Sequence, residues 1–175
     1  DFLSLSAHKF YGPKGVGILF AKNPSNLMNL IIGGSQEYNL RGGTENVASI
    51  SGMGLAAEIV TSSFNNHVNH LKVLEDKFKK GINQISKHFI LNGTQSKKIP
   101  GLISVSFPGY DSNILMRKLN REKIYVSNGS ACGSGDVKPS FVLKAIGISD
   151  SLSFATLRFS FGITNTEDQI YHLIY

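Results

Sequence analysis

The sequence predicts an α/β fold in which helices lie on a small sheet. The short apolar run "VGILF" (16–20) and the alternating runs "LISVSF" (102–107) and "TLRFSF" (156–161) read as strands. From Thr44 the apolar residues instead recur every three or four positions, the period of a helix. Glycine and proline punctuate the two kinds of segment.

In order, Phe2, Leu3, Ser4, Leu5 and Ser6 read as a strand, and residues 16–20 as a second one after a glycine-rich turn, closing at Lys22-Asn23-Pro24. Residues 31–43 read as loop. Val47, Ile50, Gly54, Ala57 and Val60, then Leu71, Leu74, Phe78, Ile82 and Ile85, predict one long bent helix or two in succession, with the break near Ser62 to Asn66. After Gly93 come a strand at 102–107, a helix begun by Asp111 or Ser112, and a short strand around 124–127. A glycine-rich loop around Cys132 follows, then a helix from Pro139 stopped by Gly147, the strand at 156–161, and a helix capped near Thr166 with Gln169 three residues on.

With 175 residues, 41% of them hydrophobic, the chain can build one good core or two small ones. No run approaches the length of a membrane span and no secretory leader is visible, so a cytoplasmic protein without a membrane partner is expected. One cysteine excludes an internal disulfide, and with five scattered histidines it assembles no zinc spacing. The net charge of +6 is spread along the chain, which reads as a solvated basic surface and not as a nucleic-acid site; it also suits docking of an acidic protein. Asp1 opens a strand already in progress, so the chain is expected to be cut at its front, and "QIYHLIY" stops without a helix-ending signal.

Two glycine patterns are decoys. "GMGLAA" (52–57) follows a helical run where a dinucleotide motif needs a strand, so its small residues read as close helix packing. "GPKGVG" lacks the Ser or Thr that a phosphate loop carries after its lysine. Lys9 is either a solvated charge or a functional amine; Ser6 and His8, alternating on one side of a strand that ends in the Gly12-Pro13 turn, would place a hydroxyl and an imidazole beside it, a setting that suits an amine meeting an aldehyde and a phosphate, as in Schiff-base chemistry. Cys132 is either a small buried hydrophobe or a reactive thiol. Its neighbours, "SNGSACGSGDVKPS", are polar and glycine-rich, which favours exposure, and a nucleophilic role needs a base or cation such as Lys138 or the distant Arg158. Arg158, mid-strand among apolar and hydroxylic residues, should face a carboxylate of the protein or of a ligand. Thr44 reads as a helix N-cap, a role compatible with binding phosphate.

Together "SAHKFYGPKGVGILF", "RGGTENVASISGMGLAAE", "SNGSACGSGDVKPSFVLKAIGI" and "LRFSFGITNTEDQI" resemble, in this order and from Asp1 to the end, the second half of NifS/IscS-type cysteine desulfurases, members of the class V aminotransferase group. The resemblance implies the pyridoxal phosphate-dependent transferase fold type I. Residues 1–64 would be the remainder of the large cofactor-binding domain with the start of the linking helix, and 65–175 the small C-terminal α/β domain carrying the cysteine loop. Lys9 looks like the lysine that binds pyridoxal 5'-phosphate, Ser6 and His8 like contacts to its phosphate, and Thr44 like the threonine that reaches the partner subunit's phosphate in a homodimer. Cys132 looks like the catalytic cysteine and Arg158 like the arginine that holds the substrate carboxylate.

The implied reaction converts L-cysteine to L-alanine, with Lys9 shuttling a proton and the Cys132 thiolate taking the sulfur as a persulfide. The sulfur then passes to an acceptor protein, an iron–sulfur scaffold or a relay for tRNA thiolation. The family's pyridinium aspartate, its ring-stacking histidine and part of its phosphate cup precede the lysine, and only eight residues precede Lys9 here. A carboxy-terminal portion with little or no activity alone is therefore expected. The competing readings are a selenocysteine lyase or another class V enzyme, against those of which lacking a loop cysteine "GSACGSG" counts, and a non-catalytic module that dimerises or docks the acceptor.

Overall fold

The computed structural model describes residues 1–93, 97–128 and 139–175, and they fall into two compact units, Asp1–Phe64 and Asn65–Tyr175. In the first, strands β1 (Phe2–Ser6) and β2 (Gly17–Ala21) pair antiparallel, from Phe2 opposite Ala21 to Ser6 opposite Gly17. Their apolar side chains stand exposed on both faces of the ribbon, Leu3 and Leu5 on one side of β1 and Phe2 on the other.

The link between these strands is not a bare turn. Residues Ala7–Phe10 form a 3₁₀ turn, closed where the Gly12 amide donates to the Ala7 carbonyl at 2.9 Å and entered where the Ala7 amide donates to Val16 at 3.1 Å. Beyond β2, a second 3₁₀ turn (Pro24–Asn26) is capped by Asn23. Residues 31–43 are mostly irregular, as expected, but contain the one-turn element α1 (Gln36–Asn39), whose Glu37, Tyr38 and Asn39 have positive φ. This segment folds back on itself at two glycines. The Gly42 amide reaches the Ile31 carbonyl, and a Cβ on Gly42 would stand 2.8 Å from the Gly33 Cα.

Two successive helices follow, α2 (Val47–Ser62) and α3 (Phe64–Ile85), with the break at Ser63 inside the predicted interval. Thr44 does not cap α2: Asn46 does, its Oδ1 accepting from the Ser49 amide at 3.3 Å. An asparagine at this position competes with Thr44 for the same role, and it sits three residues ahead of the amide it satisfies. Of the glycines in "GMGLAA", Gly52 packs closely, though against a turn and not a helix, since a Cβ there would lie 2.9 Å from the Pro13 Cγ, whereas Gly54 has open space beside it.

The second unit is built on an antiparallel sheet in the order β3 (Ile90–Asn92), β4 (Leu102–Ser106), β5 (Thr156–Ser160). Alternation along β4 and β5 sends Ile103, Val105, Leu157 and Phe159 to one face, where they pack with Leu74, Phe78 and Ile82 of α3 and Ile170 of α7 (Glu167–Ile174). The Phe78 ring lies 4.8 Å from that of Phe159 and 5.7 Å from that of Phe161. Helix α7 begins at the predicted capping box of Thr166 and Gln169. It approaches α3 closely at Gly81, where a Cβ would meet Ile174 at 2.9 Å.

Helix α4 (Ser112–Arg121) is capped by Asp111 and rests Leu115, Met116 and Leu119 on the same core. The predicted strand at 124–127 shrinks to a single bridge between Ser127 and Arg158, the chain having turned at Lys123 with φ of 59°. Helix α5 (Phe141–Ala145) starts two residues after Pro139 because Ser140 caps it, and Gly147 ends it at a φ of 85°. The short helix α6 (Asp150–Ser153) and strand β3 are elements the sequence reading lacks. Among the described residues no single helix is long and apolar enough to cross a membrane.

One buried carboxylate anchors the approach to β4. Glu75 of α3 lies 2.5 Å from the Lys79 ammonium and 2.7 Å from that of Lys98, and accepts from the Gly101 amide at 3.0 Å. Burial pushes its carboxyl up, but the bonds from Lys79, Lys98 and Gly101 outweigh that and hold it below the ordinary value of 4.5. The unfolded chain therefore takes up this proton first as the pH falls, and stability present above about 4.5 is lost as the pH drops through the depressed folded value. Glu75→Gln should flatten that acid limb in urea melts taken stepwise down the carboxylate range, and lower stability at neutral pH by about 2–4 kcal/mol. Gly52→Val, which drives a branched side chain into Pro13, should cost about 1–3 kcal/mol in the same melts at any pH.

Candidate functional site

The 3₁₀ turn sorts the side chains around Lys9. With three residues per turn, Ala7 and Phe10 share a direction, and they are the buried and half-buried ones; His8 and Lys9 take the other two directions and are exposed. Ser6, the last residue of β1 and the cap of the turn, is exposed as well. The expected arrangement, Ser6 and His8 alternating on a strand, is thus corrected: the strand ends at Ser6 because the Ala7 carbonyl turns to bond Gly12, and His8 belongs to the turn. Gly12 is held to that bend by contact, since a Cβ on it would stand 3.0 Å from the Ala7 Cβ. None of Ser6, His8 and Lys9 makes a side-chain hydrogen bond or ion pair among the described residues.

That donor set fits pyridoxal phosphate. A primary amine with no anion beside it can react with a carbonyl, and an adjacent hydroxyl and imidazole can bind phosphate oxygens. Thr44 is exposed in the same unit, three residues before α2 and next to the positive-φ Gly43. The Gly43 amide is bound by the Gln36 Oε1 at 3.2 Å, and the Arg41 guanidinium donates to the Gly42 carbonyl at 3.0 Å.

Arg158 lies in the second unit, on the face of β5 opposite Leu157 and Phe159, and is half-buried, not fully enclosed. Its backbone exchanges two bonds with Ser127, the Arg158 amide to the Ser127 carbonyl at 2.7 Å and the Ser127 amide to the Arg158 carbonyl at 3.2 Å. The chain then runs on through Asn128, whose amide donates to the Asn113 Oδ1 at 2.6 Å. Cys132, four residues further along, falls outside the described residues.

Around Arg158 the sheet face is polar, which the sequence reading missed although "ISVS" and "TLR" place every second side chain there. Thr156 donates to the Leu152 carbonyl at 2.7 Å and touches the Ser106 Oγ at 2.7 Å. The Asn92 side-chain amide donates to Ser106 at 2.8 Å and to Ser104 at 3.1 Å, and its Oδ1 is buried with no partner among the described residues. Ser106 and Thr156 are buried, whereas Ser104 and Arg158, directly opposite one another on β4 and β5, reach solvent.

Residues 1–173 match the model of the aminotransferase class-V family. The chain is 41% identical to the cysteine desulfurase IscS of Dictyoglomus turgidum over 97% of its own length and 43% of that protein's. It is 36% identical to the cysteine desulfurase NifS of Azotobacter vinelandii, covering 98% of this chain and 43% of that one. A solved NifS-like protein superposes with a TM-score of 0.88 at 32% identity, over 99% of this chain and 44% of that structure. The chain thus spans less than half the length of these relatives. On this evidence it belongs to the aminotransferase class-V family and has the pyridoxal phosphate fold type I of the NifS-like proteins.

Proposed function

We propose that this chain carries the cofactor lysine, the sulfur-accepting cysteine and the carboxylate-binding arginine of a cysteine desulfurase. The observation that carries the reading is the likeness to proteins named cysteine desulfurase across 97% or more of the chain, joined to an exposed Lys9 amine, without a partner among the described residues, on a turn fixed by Gly12 and Pro13. Residues 1–64 act as part of the cofactor-binding domain and 65–175 as the small domain.

Lys9 holds pyridoxal phosphate through Nζ, Ser6 and His8 bind its phosphate, and Thr44 serves the phosphate of the other subunit in a homodimer. When bound, the cofactor supplies an electron sink for the charge that develops at the substrate α-carbon. The Lys9 amine would take the α-proton and return a proton to the product carbon. Arg158 pairs with the α-carboxylate through its forked guanidinium. The Cys132 thiolate attacks the substrate sulfur; the carbon–sulfur bond breaks, a sulfur–sulfur bond forms, and L-alanine leaves with a persulfide remaining on Cys132. An acceptor protein, the scaffold of an iron–sulfur cluster or a tRNA thiolation relay, then takes that sulfur in the cytoplasm.

The test is incubation of the intact protein with pyridoxal phosphate followed by borohydride reduction, read by intact mass and peptide mapping. One reduced adduct per chain at Lys9, absent from Lys9→Ala, is the expected result. Adducts scattered over surface lysines, or none, would remove the cofactor site and with it the desulfurase reading.

A further inference from the structure

The polar face of the small sheet has a direction, and it ends beside Arg158. Thr156 gives its only hydroxyl proton to the Leu152 carbonyl, so in the 2.7 Å contact between Ser106 and Thr156 the proton comes from Ser106. Ser106 then has no proton left for Asn92, which must present its NH₂ to Ser106 at 2.8 Å and to Ser104 at 3.1 Å. Turning the Asn92 amide over would set Ser106, with its one proton, against two acceptors, the Thr156 Oγ1 and the Asn92 Oδ1, so that one of these two short contacts would hold no proton. The amide stays as it is even though this leaves its Oδ1 buried without a partner among the described residues.

The consequence falls on Ser104. It accepts from Asn92, and its own O–H has no acceptor among the described residues. Ser104 is the register partner of Arg158, so the two side chains leave the same face with Cβ atoms about 4.5–5.5 Å apart. Both are half-buried, at the end of the polar face that opens to solvent, while Ser106 and Thr156 close the other end. A guanidinium and an unused hydroxyl proton at that spacing suit the two oxygens of one carboxylate.

We propose that Ser104 is a second donor, beside Arg158, for the α-carboxylate of the amino-acid ligand, and that Asn92, Ser106 and Thr156 aim its proton. The choice of a cysteine-derived ligand rests on the desulfurase reading; the carboxylate seat itself does not. In the intact protein, Ser104→Ala should raise the KM for L-cysteine about tenfold with kcat nearly unchanged, and Ser104→Thr should restore it. Calorimetric titration with L-alanine and with ethylamine, which lacks the carboxylate, separates the two claims. Ser104→Ala should weaken L-alanine about tenfold and leave ethylamine untouched. Equal weakening of both probes, no weakening of L-alanine, or failure of L-alanine to bind the unsubstituted protein would overturn the seat. If L-cysteine yields no alanine while L-alanine binding still depends on Ser104, the desulfurase reading fails and the seat stands.

Discussion

The pairing of β4 with β5 is what the second unit depends on. In one register it sends Val105, Leu157 and Phe159 inward against Phe78 and turns Ser104, Ser106, Thr156 and Arg158 to the other face. A slip of one residue would exchange the two sets, burying Arg158 under α3 and exposing the aromatic core, so the hydrophobic core and the candidate carboxylate site enforce the same register. Ser127 joins this arrangement from the outer edge of β5, which ties the segment leading toward Cys132 to the backbone of Arg158.

A different constraint shapes the first unit. Lys9 stands on a turn instead of a strand because the backbone must bend within a few residues, and the bend is held by the Gly12 to Ala7 bond, by contacts that would crowd a Cβ at Gly12 and by Pro13 seated on Gly52. A lysine on a short, tightly bonded turn loses less freedom when it is loaded than one on an open loop, which suits an amine that must meet one carbonyl repeatedly. The apolar side chains on both faces of β1 and β2 follow the pattern of strands covered on both sides, and residues 1–64 cover neither.

Sequence alone disclosed the elements whose signals are local. The Thr166 and Gln169 capping box, the Asp111 cap and the helix stop at Gly147 each lie within a few residues of the structure they create. Strand β3 was illegible because Ile90–Asn92 is too short to alternate visibly and is defined by bonds to β4, a partner reached through the connection that Glu75 pins. Thr44 and Asn46 are both good caps, and the choice between them depends on where the glycine-rich segment delivers the chain. The site residues that stood out were those with reactive side chains, Lys9, Cys132 and Arg158. Ser104 and Asn92 carry no such signal, since their meaning lies in which proton is left over after cross-strand bonding.

The destination of the substrate sulfur decides whether Lys9 and Cys132 act in one reaction. The intact protein, supplied with pyridoxal phosphate and L-cysteine, should release L-alanine and gain the mass of one sulfur atom on the peptide containing Cys132, with both signals lost in Lys9→Ala and the mass gain lost in Cys132→Ser. Alanine release with no sulfur on Cys132, or a sulfur adduct that survives Lys9→Ala, would contradict it.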